Sequence, residues 1–169
     1  MNASATHNPL FDTRLVAFDV DGVFTEGRFY LSNDGVESKA FSTQDGFGIR
    51  RLIDAGIEVA VISGRQSTAV DMRMAELGVT HVIQGCKDKI AAFDELVANL
   101  GISDANCVFV GDDIPDLPLL KKVGYAIAVA NAVGDVRDCC DYTTRARGGF
   151  GAVREVCDLV LAARSERGE

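Results

Sequence analysis

The sequence predicts an α/β fold, a doubly wound, Rossmann-like parallel sheet with helices on both faces and a projecting β-hairpin. Two observations carry that expectation. Short β-branched and aliphatic runs alternate with amphipathic helical patterns, as parallel strands joined by crossover helices do. One segment breaks the alternation with two strand-like runs on either side of a polar turn, which marks a hairpin.

In chain order, Leu15–Phe18 is the first apolar run. The hairpin follows, with strands expected at Gly27–Leu31 and Val36–Phe41 around the turn Ser32-Asn33-Asp34-Gly35. Glu58–Ile62 is the next strand, and Val70, Met74 and Leu77 trace one face of a short helix. After the strand His81–Ile83, a longer helix shows the stripe Ile90, Phe93, Leu96, Val97 and Leu100. Val108–Val110 and Tyr125–Val129 complete the parallel set. No Pro-rich or Ser-rich linker and no repeat divides the chain, so residues 15–163 are expected to form one domain, with residues 1–14 as an extension and 164–169 as a loose tail.

Composition excludes several functions. With 17 basic and 25 acidic residues, the formal charge of −8 repels nucleic acid and anionic membranes. Five cysteines, an odd number without C-x-x-C spacing, suggest neither a disulfide framework nor a zinc site. Residues 1–12 lack the pattern of a signal peptide, and no run is long and apolar enough to span a bilayer, so a cytoplasmic protein is expected.

The chemistry-bearing residues sit at strand ends. Leu15–Phe18 runs into Asp19-Val20-Asp21-Gly22-Val23-Phe24-Thr25, and Val108–Val110 runs into Gly111-Asp112-Asp113-Ile114-Pro115-Asp116. Aspartates often cap helices and form turns, but charge at the mouth of a buried strand is costly unless it is used or paired. In a doubly wound sheet the two strands should lie side by side, with their carboxyl ends at the ligand crevice. Asp19, Asp21, Asp112 and Asp113 would then converge, and oxygen-only ligands of that density suit Mg²⁺, which also binds substrate phosphate. Ser63-Gly64-Arg65 after Ile62 offers a hydroxyl and backbone amides to a phosphate, and Lys87 or Lys89 offers a positive charge.

Taken in order, Asp-x-Asp-Gly-Val-x-Thr, a strand-end Ser-Gly, a helix-start Lys and Gly-Asp-Asp-x-x-Asp resemble the haloacid dehalogenase superfamily of phosphatases. The resemblance implies that Asp19 attacks phosphorus to form an aspartyl-phosphate, while Asp21 protonates the leaving alcohol and then activates water. It implies that Ser63 and Lys89 hold the phosphoryl group, the spacing of the family favouring Lys89 over Lys87. Mg²⁺ would be bound by Asp19, Asp112 and the main-chain carbonyl of Asp21, with Asp113 and Asp116 positioning its waters or the lysine. Thr25 and Gly64 would join the substrate contacts.

Between Asp21 and Ser63 there is no room for the cap domain that many members insert, so the fold is expected to be capless and the pocket to be completed by neighbouring subunits, with the hairpin as a contact. From about Leu15 to Ala163 the chain resembles the bacterial 3-deoxy-D-manno-octulosonate 8-phosphate phosphatases of lipopolysaccharide sugar synthesis, which are capless homotetramers. That resemblance implies a phosphorylated sugar acid as substrate. Arg65 and Arg73 are candidates for its carboxylate; relatives acting on nine-carbon acids tend to carry glutamate at the position of Arg65, which favours the eight-carbon acid over a nine-carbon acid 9-phosphate. Gly148, Gly149 and Gly151 suggest a mobile loop, and the resemblance implies that this region closes over an adjacent subunit's site, to which Arg147 would contribute. Pro115 and Leu117-Pro118 depart from the commoner pattern at positions that carry no chemistry. A receiver-like phosphoacceptor module is the rival of another class, but it places its acceptor Asp after the third strand, whereas here that strand ends at Gln84-Gly85.

Overall fold

The computed structural model describes residues 8–166. Its central sheet has six strands: β1 (Leu15–Phe18), β4 (Glu58–Ile62), β5 (His81–Ile83), β6 (Cys107–Gly111), β7 (Tyr125–Ala128) and β8 (Tyr142–Thr143). They are arranged in the order β5-β4-β1-β6-β7-β8, and each neighbouring pair is parallel. β1 is buried at all four positions because helices cover both faces, which is why it reads as an unbroken apolar run. β8, the edge strand, has only two residues and no apolar run, so periodicity gives no sign of it.

The helices are α1 (Thr43–Asp54), α2 (Thr68–Leu77), α3 (Lys89–Leu100), α4 (Leu117–Leu120), α5 (Gly134–Cys139) and α6 (Ala152–Glu166). α1 packs on α6, and α3 on α4. Ile49, Leu52, Met74, Phe93, Val153 and Val160 turn their apolar stripes onto the sheet and are fully buried. Local chemistry fixes the α3 ends: Asp88 accepts hydrogen bonds from the amides of Ile90 (3.0 Å) and Ala91 (3.1 Å), and Gly101 ends the helix in a left-handed conformation.

The hairpin is shorter than its sequence suggests. Its strands β2 (Tyr30–Leu31) and β3 (Glu37–Ser38) pair antiparallel, Tyr30 with Ser38 and Leu31 with Glu37. Both residues of β2 are exposed, and the flanking residues Phe29 and Lys39 are committed to a cluster of charges instead of to the ladder. The chain ends also differ from expectation. Within the extension, Asn8 caps a 3-10 turn over Pro9–Asp12, and the buried Leu10 anchors it against α6. α6 continues through Glu166, so residues 164–166 are helical, while residues 1–7 and 167–169 lie outside the described residues. No helix among the described residues is long and apolar enough to cross a membrane.

Candidate active site

The sheet register brings the two acidic segments together. Phe18 stands beside Val61 on one side and Val110 on the other. Asp19 extends the ladder by one residue, donating its amide to the Val110 carbonyl at 2.9 Å. Ser63 does the same on the neighbouring strand, its amide bonded to the Ile83 carbonyl at 2.8 Å. Asp19, Ser63 and Asp112 therefore leave the sheet at the carboxyl ends of three adjacent strands, the crevice expected of a doubly wound fold.

Lys89 reaches this crevice as the first residue of α3, while Lys87 is exposed. Its Nζ donates to Asp19 Oδ1 (2.8 Å) and Asp116 Oδ1 (2.7 Å), and the three side chains are 9 %, 12 % and 2 % exposed. The other oxygen of Asp116 accepts from the amides of Asp112 (3.0 Å) and Asp113 (3.3 Å), which folds the acidic loop back on itself. Asp113 caps the following 3-10 turn by accepting from Ile114 N at 2.8 Å. Pro115 and Pro118 each stand in the first turn of a short helix, where a missing N–H costs nothing.

Carboxylate oxygens of Asp19, Asp112 and Asp116 all lie within 4.8 Å of one another. Both oxygens of Asp116 are already bonded, which leaves Asp19 and Asp112 as the available donors. Asp112 Oδ1 is buried without a hydrogen-bond partner. Burial, reinforced by Asp19, Asp116 and Asp113, pushes the Asp112 carboxyl up to about 8 against the pull of Lys89. Burial and Asp116 likewise raise Asp19 to about 6. One lysine does not balance this much negative charge, and a hard divalent cation with oxygen ligands would do so, so the residues fit Mg²⁺. Gly22 is required at the rim: its φ is +96°, and a Cβ there would overlap the Asp112 carboxylate.

A cleft of about 320 Å³ opens over these groups, lined by Asp19, Asp21, Ser63, Arg65, Lys89 and Asp112, with Gly64 at its edge. Ser63 Oγ is buried and accepts from Arg65 N at 3.3 Å. Asp21 lines the cleft and stands outside the carboxylate cluster.

Three residues expected at the substrate stand elsewhere. Thr25 is completely buried, and its hydroxyl oxygen accepts from the amides of Gly22 (3.3 Å) and Gly27 (3.2 Å), so it shapes the turn that presents Asp21. Arg73 ties α2 to α1, bonding Glu76 (2.8 Å) and the Ser42 carbonyl (3.4 Å). Arg147 lines a separate cavity of about 240 Å³ with Glu26, Arg28 and Phe150. The glycine loop is packed against the Asp19 loop: Gly149 N donates to the Val23 carbonyl (3.1 Å) and Gly148 N to Asn131 Oδ1 (2.7 Å), and a Cβ on Gly148 would overlap the Gly22 carbonyl.

Sequence reading missed Lys39, whose ammonium bonds Asp21, and its neighbour Glu37. No local signal marks them: Lys39 lies just beyond β3, and its partners arrive from other segments of the chain.

Comparison with known proteins gives three consistent results. The pattern of the haloacid dehalogenase-like hydrolase family matches residues 79–153. The chain is similar to the 3-deoxy-D-manno-octulosonate 8-phosphate phosphatase of Escherichia coli K12, 47% identical over 156 residues that cover 92% of this chain and 83% of the relative. Among solved structures it resembles the enzyme of that name from Yersinia pestis (TM-score 0.92, 44% identity, covering 94% of this chain and 85% of the other). It also resembles the Moraxella catarrhalis enzyme in complex with magnesium, phosphate and the octulosonate (TM-score 0.91, 43% identity, 94% and 91% covered).

Proposed function

The chain belongs to the haloacid dehalogenase-like hydrolases, among the 3-deoxy-D-manno-octulosonate 8-phosphate phosphatases, and from that premise we propose that it releases phosphate from 3-deoxy-D-manno-octulosonate 8-phosphate in the cytoplasm, as a step in lipopolysaccharide sugar synthesis. The observation that carries the reading is the convergence of Asp19 and Asp112, from two separate segments, around Lys89 at one end of the sheet.

In this reading Asp19 is the nucleophile. Its carboxylate oxygen forms a bond to phosphorus as the ester P–O bond breaks, and the departing alkoxide takes a proton from Asp21. Water then gives its proton to Asp21 and its oxygen to phosphorus, releasing phosphate and restoring Asp19. Ser63, the backbone at Gly64 and Lys89 hold the phosphoryl oxygens. Asp19, Asp112 and the carbonyl of Asp21 would hold Mg²⁺, supported by Asp113 and Asp116. The bound cation supplies charge neutralisation, without which a carboxylate cannot approach a dianionic ester.

Arg65, exposed at the cleft edge, takes the sugar-acid carboxylate. The cleft is open and the hairpin presents exposed Tyr30, Leu31 and Val36, which supports self-association into a homotetramer that completes the pocket. Arg147 and Arg73, remote from the cleft of their own chain, would serve only through such neighbours.

Phosphate release from the octulosonate 8-phosphate, a nine-carbon sugar-acid 9-phosphate and hexose phosphates tests the reading, alongside gel filtration for the assembly. Asp19→Asn is expected to abolish Mg²⁺-dependent release, by at least about 10⁴-fold, while remaining folded. Turnover by Asp19→Asn, or equal rates on all three esters, would overturn the mechanism or the specificity respectively.

A further inference from the structure

Asp21 is tethered within the cleft. One oxygen is bonded to the ammonium of Lys39, and the other lies 3.7 Å from Arg65 Nε. Lys39 follows β3 in the hairpin, and its side chain is wholly screened from solvent, 0 % exposed. Its second partner is Glu37 Oε1 at 3.4 Å, and Glu37 Oε2 accepts from Arg65 Nη2 at 2.6 Å. The four side chains thus form a closed ring of alternating charge. Phe29 covers it, with its ring centroid 5.6 Å from Lys39 Nζ and 4.1 Å from Arg65 Cζ.

A lysine just beyond a two-residue strand is ordinarily solvated. Here the ammonium has given up water, which is favourable only while its carboxylate partners hold it. The restraint is mutual: Lys39 fixes the rotamer of Asp21. Arg65 cannot take its place, since its guanidinium is 47 % exposed, stacked on Phe29 and turned mainly to Glu37.

We propose that Lys39 is a positioning residue for Asp21, holding the carboxyl group in line with the leaving oxygen so that the hairpin aligns the proton transfer. This rests on the role given to Asp21 above. A sugar phosphate leaves as an alkoxide and needs that proton as the P–O bond breaks. An aryl phosphate such as p-nitrophenyl phosphate leaves as a stable phenolate and does not. Both esters need Asp21 in the second step, where it takes the proton from water.

The test is leaving-group dependence. Lys39→Met keeps the apolar stem against Phe29 and removes the ammonium. Turnover on the octulosonate 8-phosphate should fall about 10²-fold with KM little changed, the cost of misplacing a reacting group. On p-nitrophenyl phosphate the same variant should give a rapid first-turnover burst of phenolate and then a slow steady state, as the phosphoenzyme accumulates. Lys39→Gln, which can still donate to Asp21, should show the same selective loss at smaller size, and it carries the test if thermal unfolding shows that the methionine variant does not fold. Unchanged rates on both esters, or an equal loss in the first turnover on both, would overturn the proposal. An active Asp19→Asn protein, or a parent enzyme inert towards the octulosonate ester, would instead strike the underlying reading.

Discussion

Replacing Asp112 by asparagine isolates the cost of crowding carboxylates at the end of the sheet. In the metal-free protein, burial and then Asp19, Asp116 and Asp113 raise the Asp112 carboxyl from 3.8 to about 8. A folded-state value raised above the unfolded one contributes stability that is fully present below about pH 4 and is lost as pH rises through about 8. Ionising Asp112 at pH 8 therefore costs the fold on the order of 3–5 kcal/mol relative to the unfolded chain. The neutral amide removes that cost. It also sacrifices no hydrogen bond, because Asp112 Oδ1 has none. For a chain of this size the gain corresponds to a rise of about 10 °C in the unfolding midpoint.

The assay is thermal unfolding from pH 5 to pH 8.5, in chelator and in millimolar Mg²⁺. The parent should weaken with rising pH in chelator and recover in Mg²⁺, with a larger recovery at pH 8 than at pH 5, since a ligand that binds only the folded state stabilises it by mass action. Asp112→Asn should be the more stable protein in chelator at pH 8, nearly flat with pH, and almost indifferent to Mg²⁺. An Asp112→Asn protein that is less stable in chelator at pH 8, or one that keeps the full response to Mg²⁺, would refute the reasoning.

Lys89→Met leaves Asp19 and Asp116 facing each other without their shared cation in a nearly dry site; urea unfolding at pH 8 should show a loss of about 3–5 kcal/mol, together with loss of phosphatase activity. Glu155→Gln acts far from the chemistry. Burial raises this carboxyl, but the amides of Ala146 and Arg145 and the hydroxyl of Tyr142 outweigh it and hold the group below its usual value. Its contribution is present above the ordinary glutamate range and lost as pH falls through the depressed value, so the variant should lose at most about 1 kcal/mol at pH 7, solvent screening the partly exposed group, and draw level with the parent in acid.

The parallel sheet was legible because burial on both faces leaves apolar runs that alternate with helical stripes, and five of its six strands announce themselves in that way. The sixth, Tyr142–Thr143, has two residues whose placement depends on pairing with Ile127 and Ala128, not on a pattern of its own. The site was legible for a related reason. Asp19 and Asp112 stand directly after buried strands, so parallel register alone brings them to one edge. Thr25 stands last in the motif that carries the resemblance, which implied a substrate contact, whereas Gly22 and Gly27 use its hydroxyl to close the turn.

Lys39 shows where such reading stops. Sequence assigns it to the hairpin strand expected at Val36–Phe41, and its local neighbours Glu37 and Ser38 give no reason to bury it. Its environment is made by Asp21, Phe29 and Arg65, which arrive from the loop after β1, the stem of the hairpin and the loop after β4. Strand order places Asp19, but the ring around Asp21 depends on how a projection folds back across the end of the sheet, and no periodicity encodes that. The same geometry ties chemistry to assembly. The hairpin that carries Glu37 and Lys39 also presents Tyr30, Leu31 and Val36 to the outside, so a second subunit packed on those residues would stiffen the element that orients Asp21.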